Sequence, residues 1–155
     1  MPKFHLTVAV NGEQHERLID PRQTLLDVLR NDLDLRGAHR GCDSGDCGAC
    51  TVLLDGRPIT ACMILAADCD GASVTTVEGV SPNGSLHPVQ RALVEKGGIQ
   101  CGFCTPGMVM AAIALLDDNP HPTETEVREG LAGNLCRCTG YKKIVEAVLA
   151  VDGRP

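Results

Sequence analysis

The ten residues Gly41-Cys42-Asp43-Ser44-Gly45-Asp46-Cys47-Gly48-Ala49-Cys50 constrain this chain more than any other stretch. Three thiols and three glycines share them, in the spacing C-x4-C-x2-C. Thiolates this close together bind well when they converge on one small metal object, so the loop must wrap around it. Glycine suits that task, because it adopts left-handed conformations and lets backbone N–H groups turn toward sulfur. Asp43 and Asp46 fit poorly beside a negative centre and are expected to face solvent. A glycine-rich turn with incidental cysteines is the bland alternative; a metal-binding loop is expected.

Nine cysteines in 155 residues form an odd set that fits a disulfide framework badly. In a reducing compartment they point to metal ligation, and the N-terminus shows no signal-peptide apolar region, so a cytoplasmic location is expected. No apolar run is long enough for a membrane span. A net charge of −6 argues against nucleic acid, whose phosphates call for clustered Lys and Arg. One Tyr, two Phe and no Trp leave little aromatic surface to bury. Metal cross-links are expected to replace part of that missing core.

Along the chain, Phe4, Leu6, Val8 and Val10 alternate with more polar neighbours, predicting a half-buried strand. Asn11-Gly12 then marks a hairpin turn, and Leu18 and Ile19 belong to the return strand. Thr24 can cap a helix through Leu25, Leu26, Val28 and Leu29 to about Leu33. After the cysteine loop come a strand Thr51–Leu54, the turn Asp55-Gly56 and a short return to Cys62. Val74–Val77 reads as a last strand. Residues 80–85 break all periodicity and form the linker between an N-terminal domain, 1–79, and a C-terminal domain, 80–155.

The second domain is helical. Val89, Ala92 and Leu93 share one face of a helix ending at Gly97-Gly98. Thr105-Pro106 reads as cap and first-turn proline of a helix, Met108 to Leu116, that is apolar nearly all round and therefore buried. Met108 and Met110 are read as core filler. Thr123-Glu124-Thr125-Glu126 is a capping box, and Thr139 could start a helix whose apolar positions are Ile144, Val145, Val148 and Leu149. Four short helices imply a small bundle.

The first loop's spacing resembles that of plant-type [2Fe–2S] ferredoxins, and the hairpin, helix and further strands resemble their β-grasp fold. Cys62, brought back by the hairpin at Asp55-Gly56, is the expected fourth ligand, although ferredoxins usually leave a longer gap. Cys69, in Asp68-Cys69-Asp70-Gly71, competes; it is read as a free thiol near the surface. A second thiol set, Cys101 and Cys104 with Cys136 and Cys138, precedes two helices whose N-termini would favour an anionic cluster. On spacing alone a Zn(Cys)4 site stays open as an alternative, although C-x-C is unusual for zinc.

Gln100-Cys101-Gly102-Phe103-Cys104-Thr105-Pro106-Gly107, followed by Gly133-Asn134-Leu135-Cys136-Arg137-Cys138-Thr139-Gly140-Tyr141, is similar to the iron–sulfur part of the molybdenum hydroxylases, the xanthine oxidase family. The likeness runs through essentially the whole chain. It implies an α+β chain, a β-grasp domain followed by a four-helix bundle, with two [2Fe–2S] clusters. Cys101, Cys104, Cys136 and Cys138 would hold the cluster nearer the molybdenum, and Cys42, Cys47, Cys50 and Cys62 the one nearer the flavin. Gln100 and Cys138 would lie against the pterin. Electrons from a large molybdenum–pterin subunit would pass to FAD on a medium subunit, making this chain a component of a hetero-oligomer. A freestanding two-cluster ferredoxin is the alternative; it would need neither a helical bundle nor a second thiol set.

Overall fold

The computed structural model describes residues 2–151. The end of the expected second domain, 152–155, lies outside the described residues. Strands β1 (Phe4–Val10) and β2 (Glu13–Ile19) pair antiparallel through Asn11-Gly12, whose φ values of 52° and 84° suit a tight hairpin. Strands β3 (Thr51–Leu54) and β4 (Arg57–Thr60) form a second hairpin at Asp55-Gly56. Strand β5 (Ser73–Thr75) runs parallel to β1 and antiparallel to β3, giving the order β2-β1-β5-β3-β4. The last strand is shorter than the expected 74–77, because Val77–Val80 winds into a 3-10 turn and packs toward the helices.

Leu6, Val8 and Val10, all on one face of β1, close over Leu25, Leu26, Val28 and Leu29 to make the first core. Thr24 caps helix α1 (Leu25–Asp27) as expected, with Asp27 completing a capping box. The helix then widens into a π turn, Val28–Asp32, which the sequence pattern did not announce. Cys69 corrects an expectation. It is not near the surface but fully buried in this core, in a 3-10 turn over Ala66–Cys69, with its thiol directed at the Leu65 carbonyl at 3.7 Å. Burial pushes that thiol up to about 11.

The second core gathers α2 (Pro88–Glu95), α3 (Thr105–Asp118), α4 (Glu124–Gly130) and α5 (Lys142–Ala150). Gly107 through Ile113 of α3 are all buried, Met108 and Met110 among them as filler. Ile144, Val145 and Val148 are buried on α5, while Leu149, expected among its apolar positions, is exposed. Strand β3 joins the two cores. Val52 faces the first and Leu53 belongs to the second, so the strand is covered on both sides.

Two helix starts differ from expectation. Cys104, not Thr105, is the cap residue of α3, and no side chain caps it. Thr139 does not begin α5; Tyr141 does, in a left-handed conformation at φ 67°. The capping box Thr123–Glu126 is present as expected.

An unforeseen cap starts α2. The ring Nδ1 of His87 accepts from Val89 N–H at 3.2 Å, and Gln90 Oε1 accepts from His87 N–H at 2.8 Å. Burial holds His87 below its ordinary 6.5, with Asp117 opposing weakly. Only the neutral ring can accept, so the cap is complete above pH 6.5 and is lost as pH falls through the lowered folded value. The protection factors of the amides at Val89–Arg91, taken against the intrinsic exchange rate at each pH, should therefore fall on acidification from pH 7.5 to 5.5. His87→Asn, which caps without titrating, should flatten that dependence. A cap is worth about 0.5–2 kcal/mol, so the protection factors should fall by roughly twofold to thirtyfold.

Candidate metal centres

The first cysteine loop is held from both ends. Arg40 pairs with Asp27 of α1, the same carboxylate that completes the helix cap, and with Asp43 inside the loop. Asp43 and Asp46 are both exposed, as expected, and Asp46 accepts from the Ser44 hydroxyl. Asp43, Gly45 and Gly48 take φ values of 61°, 82° and 67°, and these left-handed residues curl the chain. The curl turns Ser44 N–H onto Cys42 Sγ at 3.4 Å. That backbone donor is the chief reason the exposed Cys42 thiol sits at about 6, where thiolate is readily available.

The hairpin β3–β4 does what its spacing suggests. Thr51 pairs with Thr60, and Ala61 N–H reaches Cys50 O at 3.3 Å, so Cys50 and Cys62 come side by side. Burial pushes Cys50 up to about 11, and the neighbouring Cys62 thiol adds to it. Cys47 is likewise raised, chiefly by burial, with Cys42 and Cys62 both within electrostatic reach. Cys42, Cys47, Cys50 and Cys62 thus form one group, while Cys69 feels only Asp68 and Asp55.

The second group gathers in the same way. Burial pushes Cys104 up to about 12, aided by the Cys136 thiol beside it. Cys138 is raised by its contact with Cys101. Burial opposes ionisation of Cys136, but its thiol is lowered overall by the Thr139 hydroxyl at 3.0 Å. Tyr141 folds back so that its hydroxyl accepts from Cys136 N–H at 2.9 Å. Gln100, Cys101 and Cys138 are all exposed.

Four features of this region were missed in the sequence. Asn134 is buried and its amide bonds Gly48 O and Thr51 Oγ1 across the two halves. Leu135 N–H donates to Cys47 O at 2.9 Å, so the two cysteine loops touch backbone to backbone. His39 stacks on Phe103 with centroids 4.7 Å apart, and His39 Nδ1 lies 2.8 Å from Phe103 O. Tyr141 holds its strained conformation. A polar residue between glycine and leucine, or a tyrosine after glycine, carries no pattern that reveals such long-range partners.

Each group therefore consists of two thiol pairs, Cys42 with Cys47 and Cys50 with Cys62, then Cys104 with Cys136 and Cys101 with Cys138. Among the described residues no three His, Cys, Asp or Glu side chains converge as they would on a single metal ion; paired thiols would suit a binuclear centre, which takes two thiolates per iron. Comparison with known proteins points the same way. Residues 8–73 match the 2Fe-2S iron-sulfur cluster binding domain, and residues 76–149 match the [2Fe-2S] binding domain. The chain is 51% identical over 152 residues to the nicotine 6-hydroxylase small subunit of Paenarthrobacter nicotinovorans, covering 98% of this chain and 92% of that one. It is 46% identical to the nicotinate dehydrogenase small FeS subunit of Eubacterium barkeri, covering 96% and 94%.

The chain belongs to the molybdenum hydroxylase family, as its iron–sulfur subunit. Quinoline 2-oxidoreductase from Pseudomonas putida 86 supplies a matching chain with a TM-score of 0.95 at 40% identity, covering 99% of this chain and 94% of that one. Relatives of this iron–sulfur subunit are parts of larger oxidoreductases, so the reading as a freestanding ferredoxin is set aside. The α+β architecture, ferredoxin-like domain then helices, is the family's. No described helix is long and apolar enough to cross a membrane.

Proposed function

We propose that this chain carries electrons between a large molybdenum–pterin subunit and a medium FAD subunit, in the cytoplasm. Cys101, Cys104, Cys136 and Cys138 would hold one [2Fe–2S] cluster, and Cys42, Cys47, Cys50 and Cys62 the other. Each cluster, when bound, supplies a reversible one-electron site. The observation that carries the reading is the contact between the loops. Leu135 N–H donates to Cys47 O, and Leu135 is followed directly by Cys136, so a short bonded route links a ligand of one site to a ligand of the other. Cys101 and Cys138, with Gln100 beside them, are exposed where a pterin of the large subunit could reach them. Cys42 is exposed in the other loop and offers an outlet toward the flavin. The division at 79/80 then separates a flavin-side domain, 1–79, from a molybdenum-side domain, 80–155.

A tagged chain purified from its native host tests this. Four irons and four labile sulfides per chain are expected, with two distinct EPR signals after reduction. Two larger chains should co-purify, one with molybdopterin and one with FAD. Two zinc ions without labile sulfide would end the redox reading. A stable lone chain with four irons and no partner would end the relay between subunits.

A further inference from the structure

The seam between the two cysteine loops is built from residues that are not ligands. Gly48 sits at φ 67° between Cys47 and Cys50, and a Cβ there would lie 2.2 Å from Gly133 O. A Cβ on Gly107 of α3 would lie 2.3 Å from Gly48 O. Glycine at both places lets the loops approach backbone to backbone, with no side chain between them. Close approach alone does not set a distance, since two glycine surfaces can slide.

One side chain pins them. Asn134 is 5% exposed, and its Nδ2 donates to Gly48 O at 2.9 Å and to Thr51 Oγ1 at 3.1 Å. The carbonyl of Gly48 can only accept, which settles which end of the amide faces it. Gly48 O also accepts from Thr51 N–H at 3.1 Å and from the Thr51 hydroxyl at 2.7 Å. On its own side Asn134 is tied by its backbone N–H to Leu131 O at 2.9 Å, at the end of α4. The amide thus ties the second loop both to the first loop and to the start of β3, one residue before the Leu135–Cys47 bond and two before Cys136. A buried, fully paired network of this kind tolerates little displacement, because losing one partner leaves desolvated polar atoms.

We infer that Asn134 is a positioning residue that fixes the separation of the two cysteine loops, and with it the electronic coupling between the centres they hold. The inference rests on the two-cluster reading above. It concerns neither the binding of either cluster nor its own signal, but their mutual interaction.

The test uses the purified holoprotein in its native assembly, fully reduced, with iron content measured beside low-temperature EPR. Asn134→Leu removes both hydrogen bonds at similar volume. Asn134→Asp keeps the shape but turns an acceptor toward Gly48 O and Thr51 Oγ1. Both variants should retain four irons and the g-values of each centre, while the spin–spin splitting between the two centres narrows or vanishes. Thr51→Val, which removes one of the two acceptors, should narrow it less. Four irons with the splitting of the unsubstituted protein would overturn the inference. Loss of either centre in both Asn134 variants would overturn it too, since Asn134 would then support loop folding rather than spacing. Zinc in place of iron in the unsubstituted protein would instead defeat the two-cluster reading itself.

Discussion

Replacing Cys62 by Ser is expected to strip the centre held by the first loop and leave the second, so that half the iron and one EPR signal disappear. Cys62 stands beside Cys50 at the end of the β3–β4 hairpin and within reach of Cys47. A serine hydroxyl there is a much poorer iron donor than a thiolate. The loss should spread to stability, because the first core contains both Cys50 and Cys62 and a missing cross-link leaves them uncompensated. Cys69 is the contrast. Cys69→Ala removes one sulfur from the same core and should cost about 1 kcal/mol without any loss of iron. Iron assay and EPR on both variants decide the matter; a signal lost in Cys69→Ala and kept in Cys62→Ser would reverse the ligand assignment.

Gly48→Ala should be the most damaging single change outside the cysteines. Alanine at φ 67° costs about 1–2 kcal/mol by itself. Its methyl would also lie 2.2 Å from Gly133 O, and backbone cannot yield as a flexible side chain would. Overpacking of that kind adds about 1–3 kcal/mol. Together they predict roughly 2–5 kcal/mol, or a melting temperature lower by about 5–20 °C for a chain of this size. Gly12→Ala provides the reference, with φ 84° but nothing within 4 Å. It should show the backbone cost alone. Gly107→Ala separates the other factor. It lies within α3, where helix propensity favours alanine by about 1 kcal/mol, yet its methyl would meet Gly48 O at 2.3 Å. Sterics should win, and thermal melting should show a lowered midpoint; a stabilised Gly107→Ala would mean that the seam is looser than its contacts indicate.

Local chemistry makes much of this legible in the sequence. The alternation in Phe4–Val10, the Asn11-Gly12 turn, the box Thr123–Glu126 and the all-apolar face of α3 each declare themselves within a few residues. The C-x4-C-x2-C spacing of the first loop stands out in the same way, whereas the second thiol set draws its meaning from the family resemblance, since its spacing alone leaves zinc open. What escaped depends on distant partners. Asp68-Cys69-Asp70-Gly71 looks like an exposed turn, yet Cys69 points inward because the 3-10 turn packs against β1, with Gly71 N–H bonded to Thr7 O. Thr105 looks like a cap, but the helix starts one residue earlier, with Cys104 as its cap residue and Thr105-Pro106 in its first turn. Tyr141 occupies a conformation that sequence would assign to glycine, while its hydroxyl accepts from Cys136 N–H, a partner no local pattern announces. Asn134 resembles any loop amide until Gly48 and Thr51 arrive from over eighty residues away.

The short hairpin that returns Cys62 to Cys50 also bears on the order of events during synthesis. All four thiols of the first group lie within one loop and one tight turn, so little chain entropy is spent in closing that site. It can form as soon as Thr60 has paired with Thr51 and Cys62 has left the ribosome. The second group must wait for α3 and α4 to be made and folded before Cys136 and Cys138 meet Cys104 and Cys101. Asn134 then docks onto a loop already shaped. The half expected to face the flavin is thus built first, and the half expected to face the molybdenum is assembled against it as a template.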